Sequence, residues 1–236
     1  MKQTAVIFDL FGTLVDNCRS SYSEELRQAG VLAELADGRE DEFLEIWRSD
    51  EFYRMRTLGR IGDANECIRY VCGRLGVEGD AAAIASAERM RLDHCRRELT
   101  PRADAAAALG RLRRRGLRLG LLSVCAYETP RLWPDTPLAP LFDAAVFSCE
   151  VGMVKPDPRL YRLVCEQLGA DPRECLFVGD GAANELTGAR GVGMDAVLIC
   201  APHEEDLVMQ REDPKNWTGP RVSSLSELAE MAEGAA

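Results

Sequence analysis

The apolar positions of the chain change period along its length. Residues 5–8 form a short apolar run ending on Asp9, with Gly12 and Thr13 three and four positions later. Such a run, closed by an acid and a glycine turn, predicts a buried parallel strand spilling into a loop. After Asp16 the strand signals stop for about a hundred residues. Residues 20–34, 39–56, 65–75 and 81–99 instead place apolar side chains at helical spacing, as in Leu26, Ala29, Ala33 and in Phe43, Ile46, Trp47. Glu and Arg fill the other faces, which predicts amphipathic helices. Gly30, Gly38, Gly59, Gly62 and the stretch 76–79 punctuate them, and 101–114 predicts a further helix with Pro101 near its first turn.

Beyond that helix the pattern becomes regular. Residues 117–123 form an apolar strand ending on Ser123, 144–148 another, 175–179 a third that runs into Asp180, and 196–200 a fourth. Lys155-Pro156-Asp157-Pro158 opens the helix after the second of these. Strands alternating with helices predict βα units, hence an α/β fold with a doubly wound parallel sheet. The proline-rich segment 127–140 reads as loop or short helix, 213–220 as loop, and 223–231 as a final capped helix. The helical block between the first and second strands is most simply a separate cap. This divides the chain into a core of 1–16 and 98–236 and a cap of 17–97.

Composition narrows the function. The 236 residues suffice for one large domain or a core with a smaller insert, and 46% apolar with 29% charged residues is ordinary for a globular protein. A net charge of −10 argues against nucleic acid and anionic membranes as partners, while a local cationic site could still take a small anionic substrate. Met1 to Thr4 passes straight into the first strand, so no signal peptide is expected, and no apolar stretch approaches the ~20 residues of a membrane span. The nine cysteines are scattered without a C-x-x-C pair, so they are expected as small buried hydrophobes in a reducing cytoplasm. Lysine occurs only at 2, 155 and 215. The arginine bias suggests a GC-rich bacterial coding sequence, and it singles out Lys155.

Asp9, Ser123 and Asp180 each stand at the C-terminal end of an expected strand, with Lys155 at a loop–helix junction after another. In a parallel sheet these ends share one edge, so four distant residues converge. The set is chemically coherent. A carboxylate can attack an electrophile and form a covalent intermediate. A hydroxyl, a Gly-Thr backbone and an ammonium can hold the transferred anion. A second carboxylate with the first can hold Mg²⁺, which prefers oxygen ligands.

The order Asp9-x-x-Gly12-Thr13, Ser123, Lys155-Pro156, Gly179-Asp180-Gly181 resembles the four motifs of the haloacid dehalogenase (HAD) superfamily of hydrolases, across nearly the whole chain. The helical insert is similar to that family's small helical cap. The resemblance implies a three-layer Rossmann-like core, with Asp9 as nucleophile and Ser123 and Lys155 as anion clamps. It also implies that Asp9, Asp180 and the carbonyl oxygen of Phe11 ligate Mg²⁺. Gly12, Thr13 and Val124 would line the substrate.

Departures from the family pattern divide the reading. Phosphatases of the family carry a second Asp where this chain has Phe11, which has no proton to give; general acid–base help is worth ~10²–10⁴ in rate. Dehalogenases carry an aromatic residue there. Asp180, by contrast, keeps the metal-binding acid that the metal-independent dehalogenases generally replace, and Val124 stands where both groups often have Asn. The last motif offers Asn184 or Glu185 to support the metal. Three readings therefore stand: slow Mg²⁺-dependent phosphatase chemistry on a phosphomonoester, metal-independent 2-haloacid dehalogenation, and a catalytically impaired fold that binds a ligand or partner. Within the cap, Tyr53, Arg54 and Arg56 are placed to meet a carboxylate or phosphate, or form an ordinary solvated face. Asp16 is expected to cap the first cap helix, Asp157 to orient Lys155 or cap its helix, His94 and His203 to lie at the surface, and Cys125 in the core. The chain is expected to act in the cytoplasm as a monomer or homodimer.

Overall fold

The computed structural model describes residues 3–17 and 21–234. Strand β1 (Ala5–Phe8) is followed by α1 (Tyr22–Gln28), α2 (Val31–Ala36), α3 (Glu40–Arg48), α4 (Asp50–Thr57), α5 (Ala64–Leu75), α6 (Ala81–Glu98) and α7 (Ala105–Arg114). The chain then runs through β2 (Arg118–Ser123), α8 (Glu128–Leu132), β3 (Ala144–Phe147), α9 (Ser148–Val151), α10 (Pro158–Leu168) and β4 (Cys175–Gly179). It ends with α11 (Glu185–Gly191), β5 (Asp195–Ile199), α12 (Glu205–Val208), α13 (Glu212–Asn216), β6 (Arg221–Val222) and α14 (Leu225–Gly234). The strands form one parallel sheet in the order β3-β2-β1-β4-β5-β6.

Strand alternation builds the three layers. Val6 and Phe8 of β1, Leu119 and Leu121 of β2 and Leu176 and Val178 of β4 face one hydrophobic cluster, shared with α7 and α14. Ala5 and Ile7, Leu122, Cys175 and Phe177 face the other, shared with α10 and α11. The period of two along each strand thus feeds two cores from one sheet. Gly120 lets α10 come close, since a Cβ there would lie 2.8 Å from Leu168 Cδ1.

The helices between β1 and β2 carry a third cluster of their own, centred on Leu26, Leu32, Phe43, Trp47, Phe52, Ile68 and Val71. Asp63 and Asp80 cap α5 and α6, their carboxylates accepting from the amides of Glu66 and of Ala82 and Ala83. Such caps contribute ~1 kcal/mol each.

Several expected boundaries shift for local reasons. The helix expected over 20–34 is two helices, broken at Gly30, which adopts φ +73°; its first residue, Ser20, and Cys18 lie outside the described residues. The helix expected over 39–56 breaks at Ser49, whose extended backbone and Oγ, accepting from Phe52 N at 3.2 Å, start α4 afresh. The helix expected from 101 begins at Ala105, because Pro101 bridges Val15 and Arg102 N donates to Leu14 O. Segment 213–220, expected as loop, begins inside α13, and β6 is a two-residue edge strand with no apolar run to announce it. The eight described free cysteines are all buried, as their composition suggests. No helix among the described residues is long and apolar enough to cross a membrane.

Candidate active site

The sheet order places β1 centrally, between β2 and β4. Chain direction reverses its walk across the sheet at this point, where open α/β sheets bind ligands. Asp9 follows β1 directly, its amide donating to Val178 O at 2.9 Å. Ser123 ends β2, Asp180 follows β4, and Lys155 precedes α10. The four residues expected to converge do so, and all are buried.

Lys155 Nζ bridges Asp9 Oδ1 and Glu185 Oε2. Burial alone would pull the Lys155 ammonium down, but the Asp9 and Glu185 carboxylates overcome it and hold it above its usual range. Burial raises the Asp9 carboxyl, opposed by Lys155 and reinforced by the negative Asp180. Glu185 is raised further, first by burial and then by Asp9. Glu185 Oε1 also accepts from Gly181 N at 2.9 Å, and Thr13 Oγ1 donates to Asp9 Oδ2 at 3.4 Å. The Ser123 hydroxyl is buried, and among the described residues it makes no well-formed hydrogen bond.

One carboxylate oxygen from each of Asp9, Asp180 and Glu185 lies within 4.8 Å of the other two. Asp180 Oδ2 pairs with Arg211, whose Nη1 also donates to the Asp180 carbonyl at 3.3 Å; Asn17 Nδ2 donates to the same Oδ2 at 3.4 Å. Gly12 makes this approach possible: at φ +76°, an added Cβ would lie 1.9 Å from Asp180 Oδ2. Its carbonyl accepts from Arg102 Nη2 at 2.8 Å, and Arg102 pairs in turn with Glu204.

A cavity of about 330 Å³ opens on these groups. Asp9, Lys155, Phe11, Val124, Cys125 and Arg211 line one side, and Tyr53, Arg56, Thr57, Arg91 and Glu98 of the helical block line the other. Cys125 is thus both buried and part of the cavity wall.

Some expected residues fall elsewhere. Arg54 is exposed and does not line the cavity, because the turn of α4 presents Tyr53, Arg56 and Thr57 inward instead. Asn184 is exposed, in a left-handed conformation at the start of α11, while Glu185 is buried beside Asp9 and Asp180. Asp16 does not cap α1, which starts after Ser21; it pairs with Arg102 at 3.4 Å and His203 at 3.5 Å. Asp157 caps α10, accepting from Arg159 N at 2.9 Å. His94 is buried, between Glu25 at 3.0 Å and Glu98 at 3.3 Å, because it lies on the face of α6 that packs against α1.

Other residues of the site carried no motif. Asn17, Arg102, Glu204 and Arg211 assemble around Asp180 and Gly12 from four separate loops and turns. Asp213, inside the segment expected as loop, accepts from Leu186 N at 2.8 Å and Thr187 N at 3.1 Å and so anchors α11, which carries Glu185.

Comparison with known proteins agrees with this arrangement. The model of the haloacid dehalogenase-like hydrolases matches residues 3–193. An (S)-2-haloacid dehalogenase of Xanthobacter autotrophicus is 30% identical over 214 residues, covering 87% of this chain and 78% of that protein. A phosphoserine phosphatase of Thermus thermophilus is 36% identical over 126 residues, covering 53% of this chain and 48% of that protein. Among solved structures, L-2-haloacid dehalogenase of Xanthobacter autotrophicus with chloropropionic acid covalently bound superimposes with TM-score 0.63 at 25% identity, over 99% of this chain and 100% of that one. A HAD phosphatase of Thermococcus onnurineus shares the fold, with TM-score 0.66 at 24% identity over 99% of both chains. The strand-end acids, the buried lysine and the family match converge on one conclusion: this chain is a member of the haloacid dehalogenase-like hydrolases.

Proposed function

We propose that the chain is a Mg²⁺-dependent phosphatase of small phosphomonoesters, working through an aspartyl-phosphate on Asp9 and slowed by Phe11. The observation that carries this reading is the group of three carboxylates, Asp9, Asp180 and Glu185, within 4.8 Å. An all-oxygen donor set suits Mg²⁺. Three acids face two cations, Lys155 and Arg211, and a divalent ion would favour the ionised forms of Asp9 and Glu185 against the burial that raises them. Asp9 and Asp180, with the Phe11 carbonyl, would hold the metal and Glu185 would support it. When bound, the ion would neutralise phosphoryl charge and let an anionic nucleophile approach an anionic substrate.

The chain's own residues supply the rest. Lys155 and the Ser123 hydroxyl hold the transferring phosphoryl oxygens, while Thr13 fixes the second oxygen of Asp9. Asp9 Oδ attacks phosphorus, the P–O bond to the alcohol breaks, and the leaving oxygen takes its proton from solvent. Phe11 lines the cavity where a proton donor would stand. Water then attacks the acyl phosphate, releasing inorganic phosphate and restoring Asp9. The block of helices α1–α6 would act as a cap whose inner wall selects the substrate.

The second reading, 2-haloacid dehalogenation, is favoured by Phe11 itself, since halide departs without protonation. The purified protein, beside Asp9→Asn, should be offered phosphomonoesters and 2-haloacids with Mg²⁺ and with excess chelator. Phosphate release that requires both Mg²⁺ and Asp9 is expected. Halide release that persists in chelator would replace this reading with the second, and turnover of neither class beside tight ligand binding would favour a binding role.

A further inference from the structure

The helical side of the cavity holds two arginines, of which only one is directly ion-paired. Arg91 is matched by two acids, Glu128 at 3.0 Å and Glu98 at 3.8 Å. Arg56 is not: among the described residues its side chain makes no hydrogen bond and no carboxylate lies within 4 Å, and its Nε is sealed from solvent without a partner. Its guanidinium stacks on the rings of Trp47 and Phe52, at 5.0 and 5.2 Å from their centroids. Such stacking fixes position but does not supply a counter-charge. Arg56 is half-buried and has no carboxylate in contact, which leaves its guanidinium open to an anion that arrives with the ligand.

We propose that Arg56 receives a carboxylate carried by the substrate, making this chain selective for small phosphomonoesters that bear a carboxylate. The assignment rests on the phosphatase reading above, and deepens it by naming the second functional group. Asp9 and Lys155 stand on the core side of the cavity and Arg56 on the helical side, so a substrate held at both ends spans the two. A volume of about 330 Å³ restricts that substrate to a compact molecule, near the lower end of ligand pockets. Arginine's planar fork suits a carboxylate, and its aromatic stacking holds the fork in place before binding.

The test uses two non-hydrolysable probes, phosphonoacetate and ethylphosphonate, titrated calorimetrically with Mg²⁺ into Asp9→Asn. A charge-assisted hydrogen bond contributes about 1.5–3 kcal/mol, so phosphonoacetate should bind roughly 10- to 150-fold more tightly. Adding Arg56→Met should abolish that preference while leaving ethylphosphonate affinity within about twofold, an outcome that general loosening of the cap would not produce. In parallel, Arg56→Met in the otherwise unchanged chain should raise KM for 2-phosphoglycolate far more than for p-nitrophenyl phosphate. A preference for phosphonoacetate that survives the substitution, or its absence in the parent, overturns the assignment to Arg56. Binding of neither phosphonate, with no phosphomonoester turned over, overturns the phosphatase reading and this assignment with it. If Arg56→Met does not fold, Arg56→Lys decides: losing the fork should cut the preference at least threefold, and an unchanged preference overturns the assignment.

Discussion

Replacing Lys155 with Met isolates the electrostatics at the centre of the site. The ammonium is buried between Asp9 and Glu185, and Met preserves most of the stem while removing the charge. Two buried carboxylates then lose their shared counter-ion. Removing one partner of a buried ion pair typically costs ~3–5 kcal/mol. The two acids can relieve part of this by taking up protons, so the cost depends on pH. Their folded pKa values already lie above the ordinary 3.8 and 4.5, and without Lys155 they rise further. Groups raised in this way favour folding most below their unfolded pKa values and lose that contribution as pH climbs through the folded ones. The variant should therefore lose up to about 1.4 kcal/mol per pH unit per group over that window, relative to its own low-pH stability. Urea unfolding followed by tryptophan fluorescence, at about pH 5 and about pH 7.5, measures the deficit against the parent. The expected deficit at the higher pH exceeds that at the lower. Equal deficits at both, or a loss under about 1 kcal/mol at each, would refute the placement of Lys155 as the shared counter-ion.

Gly12→Ala forces an unfavourable left-handed backbone, at ~1–2 kcal/mol, and drives a methyl group into Asp180, so turnover should fall by about 10²-fold or more while secondary structure by circular dichroism persists. Phe11→Asp supplies the missing proton donor, and kcat on phosphomonoesters should rise by up to ~10²–10⁴; no rise would count against Phe11 as the limiting residue. Burial lowers the affinity of His94 for its proton, but Glu98 and Glu25 reverse this and hold its pKa above 6.5. Its charge therefore stabilises the fold fully below that value and ceases to do so as pH rises through the folded pKa. His94→Gln should cost roughly 1 kcal/mol near pH 6 and less near pH 9, read from thermal melting at both.

The residues legible in the sequence are those that a strand end displays. Asp9, Ser123 and Asp180 each close an apolar run, and the α/β rule that such ends share an edge brings them together without any knowledge of distances. Lys155 stands out because lysine is rare in this chain. The next layer leaves no such trace. Arg211 reaches Asp180 from a turn between short helices, and Asn17 from the connection after β1; neither sits in a periodic segment. Asp213 anchors α11 through backbone amides, a contact that depends on how two short helices meet and not on spacing. Helical phase explains Arg54 and Arg56: both occupy a charged, partly exposed helix, and only the packing of α4 decides which one faces inward. The burial of His94 leaves no mark in the sequence, because Glu25 comes from a second helix and Glu98 from the next turn of its own.

The order of the sheet makes chemistry a gauge of strand alignment. Phe8 lies opposite Leu121 on one side and Val178 on the other, so Asp9 meets its neighbours only in that pairing. Sliding β1 by one residue would move its acid by about 3.3 Å and turn it to the opposite face of the sheet. No gradual loss is available between the two settings. Drift in the three central strands is therefore penalised abruptly, whereas the surface of the helical block can diverge residue by residue, and new specificity has its freedom there.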